Sequence, residues 1–281
     1  MSLITRGVQA TDQFPNRGEI MRRGVFIRDS ILVLFLCGGL SACGNTGGSS
    51  GGNGGGGNPQ PNVITVVQSA GMSAGCTVVS GCDSQSLSLP KPVSSGDFVA
   101  VVMWWNESNV SGSATAKVTD SQNNTYTSIG PTTNFSCGDS TLCYGFYAGN
   151  VSGGSNFTVQ ASLANSNGAG FYMAVLEVHG ATTFDFWKGG GCEVQGGCTL
   201  YATDQFELAH SNEILVGVAS LQPVSGGISQ FPIEPGPDFT EVYTQNYFAA
   251  EYMVTTTPGQ YEGEFLSNSL GNGSVMFAAF Y

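Results

Sequence analysis

The chain has 281 residues, of which 41 are Gly, 10% are charged and 41% are hydrophobic, with a formal net charge of −12. That apolar share suffices for a core and excludes wholesale disorder. The charge excludes a nucleic-acid binder that works by phosphate neutralisation. The basic residues are segregated. Arg6, Arg17, Arg22, Arg23 and Arg28 all precede residue 43, which leaves Lys91, Lys117 and Lys188 against 17 of the 20 acidic residues, a net charge of −14. A body this acidic is repelled by anionic lipid and by nucleic acid, so no basic patch holds it to a membrane.

Residues 21–43 read MRRGVFIRDSILVLFLCGGLSAC. Met21 with Arg22 and Arg23 makes a natural start, followed by the apolar run Ile31–Cys37 and small residues up to Ala42. The run is shorter than the roughly 20 apolar residues of a transmembrane helix and has the size of a signal-peptide core. Its end, Leu40-Ser41-Ala42-Cys43, resembles the lipobox of bacterial lipoproteins. That resemblance implies that the leader 1–42 is removed, that Cys43 is lipidated and becomes the mature N-terminus, and that the protein sits in the cell envelope. Gly44 in place of Asp favours the outer membrane or cell surface over inner-membrane retention. An ordinary secretory signal cut nearby is the alternative. Acyl chains anchor at about 0.8 kcal/mol per buried CH₂ without a spanning helix. Residues 44–62, GNTGGSSGGNGGGGNPQPN, have the composition of a disordered tether, with a reach of about 24 Å. A phosphate-cradling loop would need a preceding strand and a following helix with Lys, and neither is written here.

From Val63 onward no stretch carries a convincing helical period. Short β-branched and aromatic runs recur instead between Gly, Asn, Ser and Pro. In chain order the expected strands are Val63–Ser69, Gln85–Leu89, Asp97–Trp105, Ala114–Asp120, Thr125–Ile129, Cys143–Gly149, Asn156–Leu163 and Phe171–Val178. They continue with Leu200–Leu208, Glu213–Ser220, Phe239–Thr244, Phe248–Thr255, Gln260–Leu266 and Ser274–Tyr281. Phe98–Trp105 is apolar throughout and predicts a central strand buried on both faces. Asp120-Ser121-Gln122-Asn123-Asn124 predicts a turn joining two strands as a hairpin, with Asn in the left-handed conformation.

A weak duplication runs through these strands. SSGDFVAVVM (94–103) matches HSNEILVGVA (210–219) as polar turn, acid and apolar strand, and SNFTVQASLANSNGAGFYMAVLEV (155–178) parallels GQYEGEFLSNSLGNGSVMFAAFY (259–281). Two such halves packed face to face predict a single all-β sandwich domain, jelly-roll or Ig-like, over residues 63–281. The stretches SGDFVAVVMWW, VTDSQNNTYTSIG, YGFYAGNVSGGSNFTVQAS and FYMAVLEVHGA resemble a β-sandwich domain common in bacterial secreted and surface proteins, most clearly over 94–181. The resemblance implies a fold and no particular chemistry. The chain departs from it in Val178-His179-Gly180, where that family has Tyr-Ser-Gly, and in its cysteines.

Cys37 lies in the leader and Cys43 is the lipid site. The other six form three C-x5-C pairs, Cys76/Cys82, Cys137/Cys143 and Cys192/Cys198. An exported chain keeps disulfides, so three local bridges are expected, each contributing about 2 kcal/mol. No CxxC is present for zinc or redox chemistry.

Chemical motifs are weak. Gly71-Met72-Ser73-Ala74-Gly75 matches a nucleophile elbow without the helix that an elbow needs. His179 is expected on a rim. Glu251 with Glu262 and Glu264 offers acids on neighbouring strands, as glycoside hydrolysis requires, and Asp120 with its Asn neighbours offers a calcium-like cluster. Strand alternation turns one of Trp104 and Trp105 outward. With Trp187 it forms a candidate platform for a sugar ring. The reading is a lipid-anchored surface protein acting as a binding or structural module, with an extracellular glycan or another surface protein as partner. No catalytic residue, metal, cofactor or nucleic acid is expected. The alternative is an envelope glycosidase or esterase.

Overall fold

The computed structural model describes residues 63–75, 84–106, 115–130, 141–164, 170–192, 196–224 and 232–281, all within the compact unit Gly57–Tyr281. The leader, Cys43, the tether, Cys76, Cys82 and Cys137 lie outside the described residues. Among these residues every helix or strand element is a strand, and the fold is an all-β sandwich of packed antiparallel sheets.

Among the described residues eight strands precede residue 180 and nine follow it. The first eight are β1 (Thr65–Gly75), β2 (Ser84–Ser88), β3 (Phe98–Asn106), β4 (Thr115–Asp120), β5 (Thr127–Ile129), β6 (Thr141–Ala148), β7 (Thr158–Ala164) and β8 (Gly170–His179). They form one sheet in the order β1-β8-β3-β6-β5 and a smaller one in the order β2-β7-β4. The nine that follow are β9 (Phe184–Cys192), β10 (Cys198–Thr203), β11 (Phe206–Leu208), β12 (Glu213–Pro223), β13 (Ile233–Pro235), β14 (Thr240–Gln245), β15 (Phe248–Thr255), β16 (Gly259–Tyr261) and β17 (Glu264–Phe280). Their main sheet runs β10-β9-β17-β12-β15-β14, with β13 also on β17, and β11 pairs with β16.

The duplication is carried by the topology. The order β1-β8-β3-β6-β5 recurs as β9-β17-β12-β15-β14. The registers agree as well: Phe98 opposes Val178 as Ile214 opposes Phe280, and Thr127 opposes Tyr147 as Thr240 opposes Tyr252. Even the irregularities repeat, since a bulge at Val66/Gln68 in β1 matches one beside Phe280 in the β9 pairing. The two main sheets pack face to face, burying Phe98, Val102 and Trp104 against Ile214, Val218 and Met276. Each half then carries its own outer layer. On the first, Val101, Met103 and Trp105 meet Val118, Phe157 and Val159 from β2-β7-β4. On the second, Tyr201, Ile233 and Phe265 cover Leu221 and Phe277, while Phe206 and Leu208 cover Leu215. The described body is thus a β-sandwich of its two main sheets, with a further layer of strands on the outer face of each.

This layering corrects the tryptophan reading. Alternation along β3 holds, but Trp104 faces the other half and Trp105 faces the outer layer, so both are buried (2% and 0% exposed). Neither turns outward, because β3 has protein on both faces. The Asp120–Asn124 turn is also not a hairpin. β4 pairs with β7 and β5 with β6, so the turn carries the chain from one layer to the next. Asn123 takes the expected left-handed conformation (φ 61°).

Strand β9 was not expected, since FDFWKGGGC reads as loop. Its glycines serve strand contact: a Cβ on Gly190 would collide with the Ala202 carbonyl. The strand ends in a disulfide, Cys192–Cys198, with Cα atoms 6.2 Å apart, leading into β10. Cys143 is also disulfide-bonded and lies buried in the seam between the halves.

Candidate functional site

The matched turns SSGD and HSNE place an acid at the head of the central strand of each half. Gly96 (φ 93°) and Asn212 (φ 63°) supply the left-handed residue that turns the chain into β3 and β12. Asp97 and Glu213 follow, and both are buried. A buried carboxylate requires partners, and the two halves provide them differently.

In the first half the partners are complete. His179, the last residue of β8, brings Nδ1 to 2.7 Å from Asp97 Oδ1. Its own side chain is exposed, so it forms the outer edge of the cluster. Glu177, wholly buried two positions earlier, accepts the Ser94 N–H (2.8 Å) and the Gln68 amide (2.5 Å). Gln68 is pinned in turn by the Lys91 backbone, accepting its N–H at 2.8 Å and donating to its carbonyl at 3.0 Å. Burial pushes the Glu177 carboxyl above the ordinary glutamate range, Gln68 and Ser94 oppose the shift, and Asp97 adds to it. This is a closed network that ties β1, β3, β8 and the turn before β3 together.

In the second half the partners are incomplete. Glu213 Oε1 accepts the His210 N–H at 2.6 Å, while its buried Oε2 has no hydrogen-bond partner. Asp185, from the β9 bulge, and His210 cluster with Glu213, and one ligand atom from each of the three residues lies within 4.8 Å of the others. The His210 ring is held flat against Tyr281, with centroids 3.8 Å apart. Tyr281 opposes Thr183 as His179 opposes Thr65, so Tyr281 occupies the place of His179. Burial raises the Glu213 carboxyl and the Asp185 charge raises it further, against the His210 N–H and ring. Two carboxylates and an imidazole that converge in this way can hold a cation.

The other expected groups resolve separately. Trp187 is the tryptophan at the surface, 36% exposed on β9, with its ring beside Gly130. Ser73 lies within β1, paired opposite Tyr172, and its hydroxyl donates to Gln245 rather than to an imidazole. The elbow match is therefore strand sequence. Asp120 is filled by donors: Oδ1 accepts the N–H groups of Gln122 and Asn124, and Oδ2 accepts the Asn124 amide and Tyr126 hydroxyl. It clamps the turn, where a calcium site would need free oxygens. Glu251, one of the acids expected on neighbouring strands, is wholly buried. It accepts the Gly236 N–H at 2.9 Å, and burial, helped by Glu264, pushes its carboxyl up to about 9.

The cluster Asp185–His210–Glu213 was not singled out from sequence. Its one legible signal was the SSGD/HSNE match, which makes Glu213 the counterpart of Asp97. Comparison with protein-family models, with curated proteins and with solved structures gives no match to this chain.

Proposed function

We propose that the chain is a lipid-anchored protein of the bacterial cell envelope, on the outer membrane or cell surface, whose β-sandwich body acts as a binding or structural module. The observation that carries this reading is the order of its segments. A short apolar leader ends in Leu40-Ser41-Ala42-Cys43, a Gly/Ser/Asn tether follows, and the chain then enters a strand-built, acidic body at Val63. Such an order displays a folded domain away from a lipid surface. Among glycan-facing candidates the exposed indole of Trp187 supports the reading, because an accessible aromatic face stacks on a sugar ring; Trp104 and Trp105 do not.

Cell fractionation with labelled palmitate tests the anchor. Wild type should partition with membranes and take up label, and Cys43→Ser should do neither. Cys43→Ser that is still membrane-bound and labelled would remove the reading. Retention of the chain on insoluble polysaccharides tests the glycan component, which should fall at least tenfold in Trp187→Ala.

A further inference from the structure

We propose that Asp185, His210 and Glu213 form a binding site for a first-row divalent transition-metal cation, with zinc as the representative ion. Two independent observations carry it. The first is convergence: one imidazole and two carboxylates bring ligand atoms within 4.8 Å of one another. Three ligands each about 2.1 Å from a common ion stand roughly 3.4–3.6 Å from one another, so side-chain rotations that move ligand atoms by up to about 1.4 Å close the set. The second is the orphaned oxygen. Glu213 is wholly buried and its Oε2 meets no donor among the described residues, as is also true of Glu251 Oε1. Such groups are uncommon in folded proteins, and at Glu213 a second carboxylate and an imidazole converge beside it.

The donor set chooses the class of ion. Calcium takes six to eight oxygens and magnesium an octahedron of oxygen and water, whereas an imidazole beside carboxylates suits zinc and its first-row neighbours. The charges balance, since two carboxylates neutralise a divalent ion and leave the imidazole neutral. The supports are already in place: Tyr281 stacks on the His210 ring, and the His210 N–H orients the Glu213 carboxylate through Oε1. Asp185 and His210 are half-buried, so the ion would be reached from solvent and would keep a coordination position for water or an oxygen donor. The first half shows why the site is local. At the equivalent place Asp97 and Glu177 are already occupied by His179, Gln68 and the Ser94 N–H. The proposal stands on the described residues and is independent of the lipid anchor.

The test is calorimetric titration of the chelator-stripped full chain, disulfides intact, with Zn²⁺ and then with Ca²⁺, alongside thermal unfolding. The expected result is one Zn²⁺ per chain, a raised midpoint with excess Zn²⁺, and at least tenfold weaker binding in both Asp185→Asn and His210→Ala. Ca²⁺ should bind at least tenfold more weakly than Zn²⁺. Both substitutions fall at half-buried positions, and an unchanged midpoint in chelator shows that each variant is folded. Glu213→Gln, nearly isosteric, gives a second reading and should also weaken Zn²⁺ at least tenfold. Absence of Zn²⁺ binding, Zn²⁺ binding that survives in the variants, or preference for Ca²⁺ would each overturn the proposal.

Discussion

In the first half of the body the acid that begins the central strand, Asp97, meets His179 and the Glu177–Gln68 network. In the second half the acid at the same position, Glu213, keeps one oxygen without a hydrogen-bond partner. Glu177 has no counterpart there, because Ala279 stands beside Phe280 as Glu177 stands beside Val178. The frames agree here in strand order, in the pairing beside the acid and in turn conformation, so at this position the difference lies in the side chains. A conserved frame with a changed set of partners converts a structural network into an open cluster. The same exchange occurs one strand away. Phe146 opposes Val101 in the first half, and Glu251 opposes Gly217 in the second, placing a buried acid where the first half has an apolar pair.

The largest effect should come from breaking the closed network. Glu177→Ala leaves the Gln68 amide and the Ser94 N–H without their acceptor in a buried place, and should cost about 3–5 kcal/mol. Urea unfolding measures it, and a loss below about 1 kcal/mol would show that the network is not what secures the first half. The next effect is a pH dependence carried by Glu251 in the second half. A carboxyl whose pKa is raised on folding holds its proton more tightly in the native state. The stability it contributes is therefore fully present below the unfolded value and is lost as pH rises toward the folded one. For Glu251 that window runs from the ordinary glutamate range up to about 9, with a slope of at most about 1.4 kcal/mol per pH unit. Glu251→Gln should flatten the fall and raise the midpoint at pH 8 by several degrees, as thermal scans across pH 5–9 would show. Scans that coincide with wild type would mean that Glu251 titrates normally.

Much of the frame was legible because it is written locally. Val/Ile/Phe-rich runs between Gly and Asn marked most strands, and the polar turn, acid and apolar strand at 94–103 and 210–219 marked the duplication. What escaped depends on contacts between distant segments. Alternation along β3 was readable, but which layer would cover each face was not, so Trp104 and Trp105 were expected to differ where both are buried. The turn after Asp120 was readable, whereas the separate pairing of β4 with β7 and β5 with β6 was not. Asp185 was hidden because β9 contains three consecutive glycines, Gly189 to Gly191, whose lack of side chains permits close strand approach and imitates a loop. The cluster with His210 and Glu213 therefore emerged only with the sheet.

The difference between the halves is tested most directly by removing the paired acids one at a time. Asp97→Ala and Glu213→Ala should be compared by urea unfolding at pH 7 in the presence of chelator. Asp97→Ala should lose about 2 kcal/mol, mainly through its buried neighbour Glu177, since the exposed His179 contributes little. Glu213→Ala should stay within about 1 kcal/mol of wild type, because the lost His210 bond is offset by relief of an unpaired buried oxygen and of the repulsion between the carboxylate and Asp185. Equal losses at the two positions, or a larger one at Glu213, would contradict the division into a closed and an open half.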